Sequence, residues 1–141
     1  MRVLVDTSVW VDYLNGYPSR ESEALDQLFD RPRQLCTCGV VVTEVFQGLR
    51  RDKNRTLLAD RFRQLSFLEP ASIDLYFRAA GIYREMRQRG YTVRSTIDCL
   101  IVALAEAGGA AILARDRDLS AILDSGLVEV KRWPVSQPPV E

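Results

Sequence analysis

The sequence predicts an α/β fold with a mostly parallel sheet, and three observations support this class. Short apolar segments alternate with longer segments of helical periodicity along the 141 residues, which is the pattern of strands joined by helical crossovers. The first segment, Arg2 to Val5, is apolar on both faces, as a covered parallel strand requires. The composition, 47% apolar and 27% charged, is that of a folded globular protein about one domain long.

The remaining elements follow in order from local patterns. The predicted strands are Arg2 to Val5, Leu35 to Thr37, Phe67 to Leu68, Ala111 to Ala114 and Val128 to Val130. The predicted helices are Ser8 to Leu14, Ser19 to Phe29, Val40 to Leu49, Arg55 to Leu65, Ile73 to Arg89, Thr96 to Ala107 and Leu119 to Leu123. Asn15-Gly16, Gly90 and Gly108-Gly109 end three of these helices. Residues 1–133 are expected to form a single domain, followed by a loose tail over residues 134–141.

Histidine is absent from the sequence. This excludes Ser-His-Asp and Cys-His catalysis, imidazole-bound zinc and a histidine proton shuttle. Cys36, Cys38 and Cys99 lack the C-x-x-C spacing of a redox or zinc pair, and we expect them to be reduced, partly buried small residues. Any metal must then be held by oxygen atoms, which favours Mg²⁺ or Mn²⁺.

The longest apolar run, Cys99 to Ala105, has seven residues, far fewer than the ~18 of a membrane helix. Asp6 interrupts the N-terminal apolar run before it reaches the length of a signal-peptide core. We therefore expect a cytoplasmic protein that does not enter a membrane.

Lys and Arg number 19, as do Asp and Glu, so the net charge is zero. Only Lys53 and Lys131 among the cations are lysines, and the arginines cluster from Arg50 to Arg63 and from Arg78 to Arg94. Arginine binds phosphate with two parallel hydrogen bonds, which favours a polyanionic partner. Solvated helix faces explain the same clusters equally well.

Asp6 follows the first predicted strand, where the functional sites of open α/β sheets form. Its ordinary alternative role is to cap the next helix. Thr7 and Ser8 can cap that helix equally well, so capping alone does not require an aspartate. We therefore interpret Asp6 as a functional carboxylate.

Asp98 lies on the same helix face as Ile101, Val102 and Ala105, a face that is otherwise apolar. Burying an unpaired carboxylate costs several kcal/mol, so Asp98 must be neutralised, paired or metal-bound. Arg94 is a candidate partner, and a stabilising position in the first helical turn is the ordinary alternative.

Three further acids have weaker signals. Glu44 lies at the edge of a buried helical stripe, where spacing alone does not separate a site residue from a partly exposed one. Asp116 falls at the carboxyl end of the fourth strand, and Asp118 is expected to cap the helix that begins at Leu119. Acids that converge in this way need a counter-cation. A divalent ion would supply it, so the pattern indicates metal-assisted phosphodiester cleavage or a related phosphoryl reaction.

A series of motifs carries a family resemblance. They are Val5-Asp6-Thr7-Ser8-Val9-Trp10, Thr43-Glu44-Val45, Arg94 to Ala105 and Leu113-Ala114-Arg115-Asp116-Arg117-Asp118. In order and spacing they resemble the PIN-domain proteins, and more narrowly the VapC toxins of bacterial toxin–antitoxin pairs. The resemblance implies a PIN-like three-layer α/β/α sandwich with a mostly parallel five-stranded sheet.

The same resemblance implies a Mg²⁺- or Mn²⁺-dependent endoribonuclease. Its catalytic and metal-binding acids would be Asp6, Glu44, Asp98 and Asp116, with Asp6 and Asp98 as the principal ligands. Secondary candidates are Ser8 and Asp118. Ala114 stands where many members carry Thr or Ser, so a hydroxyl contribution from that position is missing here.

The expected substrate is tRNA or rRNA, whose cleavage would inhibit translation and growth. The expected partners are a VapB-type antitoxin, which neutralises the enzyme, and a second copy of the chain in a homodimer within a hetero-oligomer. The arginine clusters would supply the RNA path and the antitoxin dock. The candidate RNA-binding residues are Arg50, Arg51, Arg87, Arg89 and Arg94.

Other classes of α/β protein require motifs that this sequence lacks. A haloacid-dehalogenase-type phosphatase needs an acid two residues after Asp6, where this chain has Ser8. A receiver domain needs an acidic pair after the first strand, and a P-loop needs G-x-x-x-x-G-K. The remaining alternative is a non-catalytic PIN-like RNA-binding protein, which should have lost one or more of the acids.

Overall fold

A parallel sheet forms the centre of the computed structural model, which describes residues 1–49 and 52–135. Its strands are β1 (Val3–Val5), β2 (Leu35–Cys38), β3 (Ser66–Leu68) and β4 (Ala111–Leu113). The strand order is β3-β2-β1-β4, and every pairing is parallel. The predicted parallel α/β class is confirmed, and the first four predicted strands lie where expected to within one residue at each end.

Three of the four strands, β1, β2 and β4, are short segments buried on both faces, whereas the edge strand β3 is partly exposed. All three residues of β1 are 0% exposed, and the flanking strands β2 and β4 are also buried throughout. A strand covered on both sides needs apolar residues at every position, because successive side chains point to opposite faces. Helices must therefore cover both faces of the sheet.

The helices form two groups. They are α1 (Thr7–Leu14), α2 (Arg20–Leu28), α3 (Gly39–Gln47), α4 (Asp52–Arg63), α5 (Asp74–Gln88), α6 (Thr96–Gly108) and α7 (Arg117–Asp124). Helix α1 packs on α2 and α3, whereas α6 packs on α5 and α7. Right-handed crossovers place these two groups on opposite faces of the sheet. The predicted three-layer α/β/α arrangement is thus confirmed.

An aromatic cluster joins α4 to the helices on its face. The Trp10 ring on α1 lies 4.5 Å from the Phe62 ring on α4 and 5.7 Å from Phe29, measured between centroids. Phe46 on α3 contacts Phe62 edge-on at 5.1 Å. Aromatic pairs of this kind stabilise packing beyond the area they bury. The cluster holds α1 and α3, which carry site residues, in a fixed relation.

The prediction of a fifth strand at Val128 to Val130 is wrong, because those residues lie outside any strand. Their backbone has other partners: Glu129 N–H donates to Glu106 Oε2 at 3.0 Å, and the Leu127 carbonyl accepts from Arg78 Nη2 at 2.9 Å. Only further along does the chain reach the sheet edge.

A single parallel bridge joins Arg132 to Ile112 of β4. Ile112 N–H donates to the Lys131 carbonyl at 2.9 Å, and Trp133 N–H donates to the Ile112 carbonyl at 2.8 Å. The segment takes the place of the fifth strand two to four residues later than predicted. The predicted loose tail, residues 134–141, lies outside the described residues from position 136 onward.

The strand order reverses beside β1. From β1 the chain proceeds through β2 to β3 on one side, and then returns to place β4 on the other side. Asp6 N–H donates to the Leu113 carbonyl at 2.9 Å, so the carboxyl ends of β1 and β4 are in register. Such a reversal opens a crevice at the carboxyl ends of the strands, which is where α/β proteins bind ligands.

All three cysteines are buried and free, as predicted. Burial raises the pKa of Cys36 and of Cys38, and it raises the pKa of Cys99 to about 11 with help from the nearby Asp98 and Asp118 charges. No described helix has the length and apolar character needed to cross a membrane.

Candidate metal and catalytic site

Asp6 and Asp116 lie where the chain leaves β1 and β4, and each caps the next helix. Asp6 Oδ2 accepts hydrogen bonds from Ser8 N–H at 3.2 Å and from the Ser8 hydroxyl at 2.6 Å. Asp116 Oδ1 accepts from Asp118 N–H at 2.8 Å and Leu119 N–H at 3.0 Å. The predicted cap by Asp118 is therefore wrong, because α7 begins one residue after Asp116 and Asp118 lies inside its first turn.

Asp98 lies in the first turn of α6, which is capped by Ser95. Its side chain is half-buried. Its pKa is raised from 3.8 to about 7, first by burial and then by the negative charges of Asp116, Asp6, Asp118 and Glu44. Burial and the negative charges of neighbouring carboxylates both favour the protonated form of a carboxyl group.

Glu44 lies on α3, which follows β2, and it is half-buried at the same end of the sheet. The Thr7 hydroxyl donates to Glu44 Oε1 at 2.8 Å. Because Thr7 directly follows Asp6 in the chain, this bond ties the positions of the two acids together. The sequence left the role of Glu44 open, and the structure places it toward the other acids.

Asp118 is the most strongly held of the acids, with 2% of its surface exposed. Oδ1 accepts from the Tyr91 hydroxyl at 2.6 Å, and Oδ2 accepts from Arg94 N–H at 3.0 Å and Arg94 Nε at 3.1 Å. Burial opposes its ionisation, but these hydrogen bonds outweigh burial and lower its pKa. The predicted pairing of Arg94 with Asp98 is replaced by this pairing with Asp118.

Together these side chains form an acidic cluster, which we define as Asp6, Glu44, Asp98, Asp116 and Asp118. Carboxylate oxygens of Asp98, Asp116 and Asp118 all lie within 4.8 Å of one another, and this group could hold a metal ion. Asp6 and Glu44 lie outside that tight group, yet their charges act on Asp98. An all-oxygen donor set of this charge fits a hard divalent cation.

Of the predicted RNA-binding arginines, Arg50 and Arg51 lie outside the described residues. Arg94 borders the acidic cluster through Asp118, and Arg89 Nη1 donates to the Ser125 carbonyl at 2.7 Å. Arg87 is exposed on the last turn of α5. The second arginine cluster is thus divided between structural contacts and exposed charge.

Two side chains that hold acids of the cluster have no clear signal in the sequence. Tyr91 follows the glycine that ends α5 and belongs to no periodic pattern, so nothing local links it to Asp118. The sequence indicates only a helix-capping role for Thr7, whereas its hydroxyl donates a hydrogen bond to Glu44. The available signal for Thr7 was its position directly after Asp6, because a hydroxyl beside one site acid can hydrogen-bond to another.

The fold and the site define a class of protein: a parallel α/β domain with an acidic cluster at the reversal of its sheet, which could hold a divalent cation. A family model described as PIN domain matches residues 3–123. VapC ribonuclease Mb1587 of Mycobacterium bovis and ribonuclease VapC11 of Mycobacterium tuberculosis are each 36% identical over 121 residues, which cover 85% of this chain and 90% of the relative. The chain belongs to the PIN-domain family, among the VapC ribonucleases.

Solved structures agree on the fold. A chain of VapBC2 from Rickettsia felis, bound to a DNA fragment from its promoter, superposes with a TM-score of 0.68 at 19% identity, over 95% of this chain and 100% of that one. VapC20 of Mycobacterium tuberculosis, described as a toxin that cleaves the sarcin-ricin loop, gives 0.59 at 24% identity, over 92% and 98%. The sheet order and helix layers described above are therefore those of PIN proteins.

Proposed function

We propose that this protein is the toxin of a toxin–antitoxin pair, a Mg²⁺- or Mn²⁺-dependent endoribonuclease that cleaves tRNA or rRNA in the cytoplasm. The observation that carries the proposal is the convergence of carboxylates: oxygens of Asp98, Asp116 and Asp118 lie within 4.8 Å of one another. Burial and the charges of the neighbouring acids, Asp6 and Glu44 included, raise the pKa of Asp98 to about 7. Such a cluster is costly to assemble unless a cation binds it, so its presence indicates a use for that cation.

Asp6, Glu44, Asp98 and Asp116 are the residues that would hold the ion. Asp118 is the less suitable ligand, because Tyr91 and Arg94 already occupy both of its oxygens. When bound, a divalent ion lowers the pKa of a water molecule and stabilises the charge that develops on a phosphate.

The other side chains of the site keep the acids in place. The Ser8 hydroxyl orients Asp6, and the Thr7 hydroxyl orients Glu44. Arg94 is 65% exposed although it contacts Asp118, so part of its guanidinium group faces solvent beside the cluster. A cation at this position offsets the repulsion between the acids and an RNA backbone.

The partners follow from the relatives. Several solved structures of the same fold are described as VapBC or toxin–antitoxin complexes. We infer that a VapB-type antitoxin binds and silences this chain, and that the toxin is a homodimer within that complex. Growth arrest on expression, relieved by co-expression of the antitoxin, is the expected cellular behaviour.

The decisive test is cleavage of total RNA by the purified protein with Mn²⁺ or Mg²⁺, comparing wild type, Asp98→Asn and Asp30→Asn. Asp30 is an exposed aspartate in the turn before β2, at the opposite end of the strands, and serves as the matched control. Cleavage should be lost only in Asp98→Asn. Calorimetric titration with Mn²⁺ should show binding to wild type and Asp30→Asn and much weaker binding to Asp98→Asn.

A non-catalytic RNA-binding protein would bind RNA without cutting it in all three forms. Sequencing of RNA 5′ ends after controlled expression would then identify the RNA that is cut and the position of the cut. The proposal fails if wild type with either ion leaves every RNA 5′ end unchanged.

A further inference from the structure

We propose that the cavity beside Asp116 is a subsite for an unstacked nucleotide of single-stranded RNA, with the Trp133 indole as its stacking surface. The inference rests on the proposed ribonuclease function and specifies the form of RNA that the site accepts. It concerns residues outside the acidic cluster, apart from Asp116, which belongs to both.

The cavity has a volume of about 510 Å³ and lies at the carboxyl end of β4. Its walls come from the turn between β4 and α7, from the start of α7, from residues 132–135 and from Glu21 of α2. Asp116 lines this cavity and also contributes a carboxylate oxygen to the tight group with Asp98. A nucleotide held here would therefore have its phosphate next to the acidic cluster.

Trp133 is fixed in position by the sheet. Its backbone N–H donates to the Ile112 carbonyl at 2.8 Å, which continues the pairing along the outer edge of β4. The side chain is half-buried against the core, and it also lines the cavity. Stacking on a fixed aromatic ring is the sequence-tolerant way in which proteins hold single-stranded bases.

Three arginines line the same cavity, against the two acids Glu21 and Asp116. Arg115 is committed to Asp12 at 2.8 Å and stacks over Tyr17, and Arg132 forms an exposed pair with Asp124 at 3.0 Å. Arg117 is exposed on the first turn of α7. Among the described residues no carboxylate forms an ion pair with Arg117, although its guanidinium group interacts with the Tyr91 hydroxyl.

The cavity thus has an indole and a guanidinium group that forms no ion pair with an acid. These two groups match the base and the phosphate of a nucleotide. The base can stack on Trp133, and the phosphate can bind Arg117. A base within a duplex is stacked on both faces and cannot enter such a cavity. The subsite therefore selects unpaired nucleotides, such as those of loops.

Tryptophan fluorescence tests the inference directly, because the chain has two tryptophans and Trp10 is 0% exposed. The probe is a 12-nucleotide single-stranded RNA of mixed sequence, with the same RNA in a duplex as control, added to Asp98→Asn so that no cleavage occurs. We expect the single strand to quench the emission and the duplex to leave it unchanged. In Asp98→Asn with Trp133→Phe the quenching should disappear.

Affinity for the same single strand provides the second measurement. Trp133→Ala should weaken binding by roughly 5- to 100-fold, the range for loss of one stacked base, whereas Trp133→Phe should retain most of the affinity. Arg117→Ala should weaken binding, and Arg33→Ala should not. Arg33 is an exposed arginine before β2, at the opposite end of the strands.

In the cleavage reaction of the wild-type background, Trp133→Phe should change KM less than Trp133→Ala, with kcat altered little in both. If Trp133→Ala does not fold, the fluorescence experiment still tests the inference. It compares quenching of Trp133 by the single strand with the loss of that quenching in Trp133→Phe.

The inference is overturned if single strand and duplex quench equally, or if Trp133→Ala binds the single strand as tightly as Asp98→Asn alone. These outcomes leave the proposed function intact whenever wild type still cuts RNA with Mn²⁺. Absence of cleavage by wild type contradicts the proposed function instead, and quenching by the single strand would then still support the subsite.

Discussion

Asp6 and Asp116 occupy equivalent positions on two neighbouring parallel strands: each leaves its strand and accepts backbone hydrogen bonds from the helix that follows. The Asp6 backbone itself bonds to the end of β4, through the Leu113 carbonyl at 2.9 Å. Each carboxylate thus has two roles: it caps a helix, and it contributes negative charge to the crevice. The two roles can be separated by substitution, because an asparagine caps a helix as well as an aspartate but carries no charge.

We predict that Asp6→Asn and Asp116→Asn remain folded and lose RNA cleavage by at least ~100-fold, which corresponds to a few kcal/mol of transition-state stabilisation. The free energy of unfolding from urea titrations should stay within about 1 kcal/mol of wild type. The alanine variants should lose the same activity and an additional ~1 kcal/mol from the missing cap. An asparagine variant that cuts RNA at the wild-type rate would remove that acid from the site.

The pKa of Asp98 predicts how stability depends on pH. Its folded value of about 7 lies above the ordinary 3.8, so the folded state binds a proton that the unfolded state has released in this range. The contribution of Asp98 to the stability of the metal-free protein should fall as pH rises from about 4 to about 7. We expect a fall on the order of 2 kcal/mol, about half of what the full shift would give, because Asp98 is only half-buried and solvent screens its charge. Asp6, whose pKa is also raised by burial, acts in the same direction.

Asp98→Asn should flatten that profile and be more stable than wild type at pH 8 with a chelator present. Urea titrations at pH 5 and pH 8 measure both effects, with Asp30→Asn as the control that follows wild type. Added Mn²⁺ should restore stability to wild type at pH 8, because the bound ion offsets the repulsion. If the free energy of unfolding changes equally with pH in wild type and in Asp98→Asn, the pKa of Asp98 is not the one that is raised.

Tyr91→Phe removes the 2.6 Å hydrogen bond to Asp118 and leaves that buried carboxylate with Arg94 alone. We predict a lower urea midpoint at neutral pH. The pKa of Asp118 is lowered in the folded protein, so its contribution is present above about pH 4 and is lost as pH falls. The difference between variant and wild type should therefore shrink below pH 4. Tyr76→Phe, an exposed tyrosine on α5, is the control and should show no difference.

The arginines of α5 should separate into structural and RNA-facing residues. Arg78 binds both carboxylate oxygens of Glu106, at 2.8 and 3.1 Å, and the pKa of Glu106 is lowered as a result. Arg78→Met should cost about 1 kcal/mol of stability, allowing for solvent screening of a partly exposed pair. Its affinity for RNA should be that of wild type.

Arg87→Ala should affect RNA binding and leave stability unchanged, the opposite of Arg78→Met. We expect unchanged stability, weaker RNA binding and a decrease of about one unit in the log–log salt slope, as for one lost phosphate contact. Urea titration and RNA titration at several salt concentrations check both variants. If Arg87→Ala keeps the wild-type salt slope, the exposed arginines of α5 are only a solvated face.

The sequence predicted most of the fold because its signals are local. Apolar runs mark β1 and β4, and Gly16 and Gly109 mark the ends of the helices that follow β1 and precede β4. The last strand was misplaced because Arg78 and Glu106, distant in the chain, bind the backbone of residues 127–129. Periodicity carries no information about such side-chain contacts.

The same limit applies to the acidic cluster. The sequence indicates Asp6 and Asp116 as site residues because each follows a predicted strand, and Asp98 because it interrupts an apolar helix face. The hydrogen bonds of Asp118 could not be predicted, since its partner Tyr91 lies 27 residues away in a loop. Asp118 and Asp116 are both plausible caps by composition, and only the actual start of α7 at Arg117 decides between them.

The buried thiols have a consequence for how the protein responds to oxidants. Cysteine reacts as the thiolate, and a pKa of about 11 for Cys99 leaves almost none of it at neutral pH. Cys36 and Cys38 are likewise buried with raised pKa values. Peroxide and alkylating agents should therefore spare these three thiols in the native chain. A response of the proposed toxin to oxidative stress would then have to act through some group other than its cysteines.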